Sequence, residues 1–173
     1  ACNKDFFRLI GYFLAEGSTS NDHYLNFSFG THEGIYIEDT ENLLRTLFGI
    51  NKIQKFYHKK NHGVSIVINS CDLARLFSQS FGKGAENKSL PHWAMLESPE
   101  KQAELIKGYF RGDGNYYRKK HTSGLKELFR MNTISSTLAT QIRDILLRLG
   151  IVAFINKRDR KKEGRKTMFT VGI

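Results

Sequence analysis

The chain has 173 residues, with 27 Lys and Arg against 17 Asp and Glu for a formal net charge of +10, and two cysteines. That length suits one domain or two fused small halves with a real core; no apolar run approaches the ~20 residues that span a bilayer, and no cleavable signal pattern opens the sequence. The basic balance points to a polyanionic partner, most often nucleic acid, while Cys2 and Cys71 show no close metal-binding spacing and no disulfide scaffold, so a reducing cytosol is the default.

Taken in order, Asp5 is placed to cap a first helix that runs from Phe6 to Ala15. Ser18 to Asp22 is polar and reads as a turn. Tyr24 to Phe29 alternates, with Leu25, Phe27 and Phe29 on one face and Tyr24, Asn26 and Ser28 on the other, as a half-buried strand does. Leu43, Leu44, Leu47 and Phe48 recur at helical spacing within Ile35 to Phe48, and Gly49 stops that helix. Ile53 to Lys60 and Val64 to Asn69 flank a turn at Asn61-His62-Gly63, and a helix follows over Asp72 to Phe81 with Leu73, Leu76 and Phe77 inward. Phe6, Phe7 and Trp93 read as core.

Gly82 to Pro91 is polar and glycine-bearing and reads as a connection between halves, not as a site. Ser98-Pro99 restarts helix, with serine as cap and proline at the first helical position. Phe129 to Thr133 reads as strand, and Ser135 or Ser136 caps a helix carrying Leu138, Ile142, Ile145, Leu146 and Leu149, ended by Gly150. Ile151 to Lys157 and Thr167 to Val171 form a second hairpin around a basic turn. The second half thus repeats the first, except that no counterpart of the helix at 72–81 precedes Ile173; the expectation is an excised or incomplete unit.

Two stretches share a spelling: Leu9-Ile10-Gly11-Tyr12-Phe13-Leu14-Ala15-Glu16-Gly17 and Ile106-Lys107-Gly108-Tyr109-Phe110-Arg111-Gly112-Asp113-Gly114. Gly11 with Ala15, and Gly108 with Gly112, lie four positions apart and so on one helical face, which lets the two helices pack backbone to backbone. A mid-helix glycine costs roughly 1 kcal/mol relative to alanine, a loss that close packing offsets. Pairing brings Glu16 and Asp113 together at helix C-terminal ends, where Gly17 and Gly114 are expected as left-handed stops. Two carboxylates at such ends repel each other and the helix dipoles, and a hard divalent cation would compensate them.

On these two stretches the chain resembles the LAGLIDADG homing endonucleases, whose nine-residue signature aligns with Leu9 to Gly17 and Ile106 to Gly114. The resemblance spans nearly the whole chain. It implies an α+β fold of two pseudo-symmetric αββαββ(α) repeats, residues 1–82 and the C-terminally short 98–173 joined by a linker at 83–97. Two antiparallel sheets would form a DNA-binding saddle around paired signature helices. The activity implied is that of a monomeric, site-specific endonuclease, in which Glu16 and Asp113 hold Mg²⁺ and cut double-stranded DNA with a stagger. Mn²⁺ would substitute, and Ca²⁺ would allow binding without efficient cleavage. Family members place a lysine or glutamine beside this centre; here Thr31, Asn69 and Thr133 fall near those places, so the basic helper is unassigned. Lys88-Ser89-Leu90-Pro91 is similar to the endonuclease insertions of inteins, implying a cytoplasmic, nucleoid-associated protein; an intron-encoded origin, with an organelle as the location, is the other reading.

Residues placed to contact phosphate are Lys52, Lys55, Lys59 and Lys60 in the first half, and Arg118, Lys119, Lys120, Lys126 and Arg130 in the second. Lys157, Arg158, Arg160, Lys161, Lys162, Arg165 and Lys166 complete that set. Tyr24, Asn26, Ser28, Tyr57, His58, Ser65, Asn132 and Thr170 are placed to read bases. The six histidines lack a metal-ligand spacing, and no zinc site is assigned. The competing class is a non-catalytic nucleic-acid binder on the same fold, such as an RNA maturase or a transcription regulator.

Overall fold

Helix α1 (Lys4–Glu16) starts two residues earlier than Asp5 would set it. Asn3 is the cap, its Oδ1 accepting from Phe6 N at 2.9 Å, and Asp5 sits in the first turn, where it complements the helix dipole and pairs with Arg8 at 3.1 Å. The computed structural model describes residues 3–58, 60, 62–121 and 124–173, with the side chains of Lys119, His121, Leu125 and Lys126 outside the description. Lys59, named above for phosphate contact, lies outside the described residues, as do Cys2 and Asn61.

After α1 come β1 (Gly17–Ser20), β2 (Tyr24–Gly30), α2 (Gly34–Phe48), β3 (Gln54–His58), β4 (Gly63–Asn69) and α3 (Cys71–Phe81). A short α4 (His92–Leu96) leads into the second repeat: α5 (Pro99–Asp113), β5 (Gly114–His121), β6 (Gly124–Thr133), α6 (Ser136–Arg148), β7 (Phe154–Arg158) and β8 (Met168–Gly172). Each half builds one antiparallel four-stranded sheet, in the orders β1-β2-β4-β3 and β5-β6-β8-β7. The fold is therefore the α+β pair of repeats expected.

The stretch expected as a turn, Ser18 to Asp22, is mostly strand. β1 has no alternating hydrophobic pattern and is held by its pairing with β2, Gly17 opposite Phe27 through Ser20 opposite Tyr24. The turn is confined to Asn21, Asp22 and His23, the first two left-handed (φ 51° and 53°), a conformation that Asn and Asp tolerate and that suits a tight hairpin. β5 likewise has no alternating hydrophobic pattern, its run Tyr-Tyr-Arg-Lys-Lys showing charge before periodicity.

Helices cover one face of each sheet. Leu25, Phe27 and Phe29 of β2 and Val64, Ile66 and Ile68 of β4 are buried beneath α1 and α3, as Met131 and Val171 are in the second half. Two inward assignments change. Leu76 is 42% exposed, and Ala74 takes a buried place on α3 beside Leu73 and Phe77; Trp93 is 41% exposed, with its ring edge-on to Phe7 and Phe81.

The centre of the molecule is the α1–α5 contact. A Cβ on Gly11 would collide with the Leu105 carbonyl oxygen, one on Gly108 with the Arg8 carbonyl oxygen, and one on Gly112 with Ala15 Cβ at 2.6 Å. Backbone meets backbone there, and only glycine leaves room. Gly17 and Gly114 act differently from the stops expected of them. Both are extended (φ −84° and −81°), so each helix runs directly into a strand, and a Cβ at either position would overlap the Phe13 or the Phe110 backbone and ring.

Candidate active site

The direct helix-to-strand passage leaves Glu16 and Asp113 as the last helical residues of the paired helices α1 and α5, each at the entry to its own sheet and close enough for the Asp113 charge to act on Glu16. Burial pushes the Glu16 carboxyl up to about 7, with the Asp113 charge adding to the shift and Glu33 contributing further. Burial likewise raises Asp113, to about 6, offset by the positive charge of Lys88. Both carboxylates are thus held in a setting that disfavours their ionised forms.

Lys88 comes from the segment read as a plain connection, and it is the residue that sequence reasoning missed. It is 7% exposed. Its Nζ donates to the carbonyl oxygens of Phe13 and Leu14, each at 2.9 Å, and to that of Ala15 at 3.4 Å, in the last turn of α1, where the Phe13 carbonyl also accepts from Gly17 N–H. Burial draws its ammonium down to about 8 against the pull of Asp113 and Glu16. The backbone around it is clamped from the second half: Ser135 Oγ donates to the Lys88 carbonyl at 2.7 Å, and Gln141 bonds both the N–H and the carbonyl of Leu90 at 2.8 Å. A solvated linker would not bury Leu90, so the apolar Leu90-Pro91 pair after Lys88 was the available signal.

Two hollows open on this centre, and Lys88 lines both. One, of about 280 Å³, is bounded by Asp113, Asn132, Thr133 and Arg160; the other, of about 300 Å³, by Glu16, Ser18, Thr19 and Ser28. Thr19 Oγ1 is buried there without a hydrogen-bond partner among the described residues. The donor set suits a hard cation of the magnesium kind, which commonly takes one or two carboxylates from protein and its other ligands from water and phosphate. Among the described residues no cluster of three His, Cys, Asp or Glu supplies a closed all-protein cage.

Strand alternation decides which residues share the open faces of the sheets. Tyr24, Asn26, Ser28, His58 and Ser65 do so in the first half, as expected, joined by Gln54 and Asn69. Lys55 and Tyr57 do not. They lie opposite the buried Ile66 and Val64, on the helix side, and Lys55 Nζ meets Glu41 of α2 at 2.8 Å. In the second half Arg130, Asn132, Thr170 and Arg158 share the open face with Asn115, Tyr117 and Asn156. Thr170 Oγ1 donates to Asn132 Oδ1 at 2.7 Å, and the Arg130 guanidinium sits 5.4 Å from the Tyr117 ring centroid. Arg118 points with Tyr116 to the other side, pairing with Glu127 at 3.3 Å, and Lys157 lies on the side of Ile155. Lys60 is exposed between β3 and β4, and Arg160, Lys161, Lys162, Arg165 and Lys166 all lie between β7 and β8. The Lys119 side chain lies outside the described residues.

A family model described as a LAGLIDADG-like domain matches residues 4–82 and 100–173. The chain belongs to the LAGLIDADG family. Its LAGLIDADG fold superposes on I-DmoI in complex with DNA and Mn with a TM-score of 0.67 at 13% identity, covering 98% of this chain and 89% of that one. Full-length DUF199/WhiA from Thermatoga maritima gives 0.66 at 13% identity, covering 97% of this chain and 50% of that one. Among curated sequences, an uncharacterized protein of Methanocaldococcus jannaschii is 38% identical over 90% of this LAGLIDADG chain and 18% of its own length. The ATP-dependent DNA helicase Hel308 of Thermococcus kodakarensis is 29% identical over 99% of this chain and 15% of its own. An iron-sulfur cluster assembly SufBD family protein of Mycobacterium bovis is 32% identical over 89% of this chain and 18% of its own. The chain spans less than a fifth of the length of these relatives.

Proposed function

We propose that this LAGLIDADG domain is a site-specific DNA endonuclease that acts as a monomer and makes a staggered double-strand break. The observation that carries the reading is the trio of Glu16, Asp113 and Lys88, two destabilised carboxylates and a buried ammonium held at one point under two polar sheets. Such an arrangement costs stability unless a ligand compensates it, which is how catalytic centres differ from ordinary helix ends. A Mg²⁺ held by Glu16 and Asp113 would supply Lewis-acid activation of a phosphoryl oxygen and of water. The protein's own contribution is positional. Lys88 offers a proton or positive charge to both hollows from one fixed place, and with a proton affinity near 8 it can exchange that proton at ordinary pH. Asn132, Thr133 and Ser28 give hydrogen-bonding walls that orient a phosphodiester.

Occurrence of one domain-length match inside a helicase, an iron-sulfur assembly protein and DNA polymerases supports an inserted element of the intein type, acting on chromosomal DNA in the cytoplasm. The likeness to I-DmoI complexes with Mn, Ca and Mg supports a divalent cation. The likeness to WhiA keeps the non-catalytic binder as the competing reading. The deciding experiment selects bound duplexes from a random library, then assays gel shift and plasmid linearisation on one selected site with Mg²⁺ or Ca²⁺. Wild type should bind with either ion and cut with Mg²⁺, whereas Asp113→Asn and Glu16→Gln should bind without linearising. Binding by wild type without cleavage on every selected site would establish the non-catalytic binder instead.

A further inference from the structure

The two halves are near copies in fold but not in charge. Residues 1–82 hold eight Lys and Arg against eight Asp and Glu, whereas residues 98–173 hold seventeen against seven, so the second half accounts for the whole formal charge of +10. Cations of the first half are also engaged internally: Arg8 by Asp39 and Glu104, and Arg45 and Lys55 by Glu41. No Lys, Arg, Asp or Glu occupies the described open face of the first sheet, whose groups are serines, asparagines, Gln54, Tyr24, Phe56, Val67 and His58.

The second half reaches farther as well. β1 has 4 residues where β5 has 8, and at about 3.3 Å per residue the hairpin β5–β6 extends roughly 13 Å beyond its counterpart. The β3–β4 connection covers 59–62, whereas the β7–β8 connection covers 159–167 and carries Arg160, Lys161, Lys162, Arg165 and Lys166. This connection is braced at its base. Lys166 Nζ meets Glu86 at 2.5 Å and Arg160 Nε donates to the Lys166 carbonyl at 3.2 Å, leaving Lys161 and Lys162 exposed.

We propose that the halves divide their work on the duplex: residues 98–173 anchor it through phosphates, and residues 1–82 contribute uncharged base contacts with little electrostatic hold. Affinity and its salt dependence then come from the part of the target beneath the second half. The proposal rests on the DNA-binding reading given above and goes beyond it by assigning the phosphate hold to one half.

The test uses the full chain and a fluorescein-labelled random-sequence duplex of about 40 base pairs, with affinity measured by anisotropy across a salt series. Each phosphate neutralised adds about 0.9 to the log-log slope. Lys161→Ala with Lys162→Ala should reduce the slope by about 1.8, whereas Lys52→Ala with Lys60→Ala should change it by less than about 0.5. All four residues are exposed, and unchanged thermal midpoints would confirm intact folds. Equal flattening by both pairs, or a larger effect of the first-half pair, would overturn the division of work while leaving DNA binding intact. Absence of salt-dependent binding by wild type would overturn the DNA-binding reading, and this proposal with it.

Discussion

Lys88 donates to the carbonyl oxygen of Phe13 at 2.9 Å, joining the segment between the halves to the end of the first signature helix. The contact does two things at once. With its companion bond to Leu14 it supplies a donor to the last turn of α1, and it fixes a positive charge that acts on both carboxylates.

Lys88→Met should therefore separate cleavage from binding. Loss of a proton-transferring or charge-stabilising group typically lowers rate about 10²- to 10⁴-fold, while the sheets proposed to hold the duplex are untouched. Single-turnover cleavage and gel shift on one selected site measure the two effects. Wild-type cleavage by this variant would reduce Lys88 to a helix cap.

Gly108 tests the helix contact. A Cβ there meets the Arg8 carbonyl oxygen, so Gly108→Ala should cost about 1 to 3 kcal/mol through overpacking despite alanine's better helix propensity. Lys107→Ala, next along the chain and paired with Glu104 in solvent, should stay within about 0.5 kcal/mol. Urea midpoints compare them, and equal shifts would contradict a backbone-to-backbone interface.

Asp39 of α2 gathers three groups from the two signature helices: Tyr12 at 2.9 Å, Arg8 at 3.0 Å and Arg111 at 2.9 Å, the last from the second half. Asp39→Ala leaves two guanidinium groups partly buried without this partner. Stability should fall by about 2 kcal/mol, between exposed-pair and buried-pair values, and high salt should narrow the gap to wild type. Denaturation with and without added salt checks both statements.

The signature stretches were legible because they combine two independent constraints, small residues at helical spacing and a terminal acid, and repeat them 97 positions apart in Glu16 and Asp113. Lys88 was not legible, because one lysine in a polar stretch carries no periodic mark and its burial follows from Ser135 and Gln141, about fifty residues later. The faces of β3 and β5 were likewise hidden. Lys55 and Arg118 sit in strands whose register depends on a partner strand, and a shift of one residue reverses every side chain. Gly17 and Gly114 were right as glycines and differ in reason, since close approach of Phe13 and Phe110 excludes a side chain where a left-handed turn was expected.

The carboxylate pair also predicts how the metal-free protein responds to pH. Glu16 is raised from 4.5 to about 7 and Asp113 from 3.8 to about 6, chiefly by burial. The folded state therefore binds more protons than the unfolded state between roughly pH 4 and 7, and by linkage the stability from these groups is present below that window and lost as pH rises through it. Lys88, lowered from 10.5 to about 8, acts in the opposite sense, its contribution being recovered only as pH rises from about 8 toward 10.5. The contribution of these three groups to metal-free stability should thus pass through a minimum between pH 7 and 8, about 1 to 3 kcal/mol below its acid-side value after allowance for partial solvent access. Mg²⁺ at about 10 mM should raise the thermal midpoint at pH 8, where both carboxylates are charged and ligand binding stabilises the fold by mass action, and should do little at pH 5. Asp113→Asn should flatten the acid-side slope and remove the Mg²⁺ response together. Calorimetric scans at the two pH values, with and without the ion, make the comparison. A Mg²⁺ gain that is equal at pH 5 and pH 8, or that survives in both Asp113→Asn and Glu16→Gln, would place the cation elsewhere on the protein.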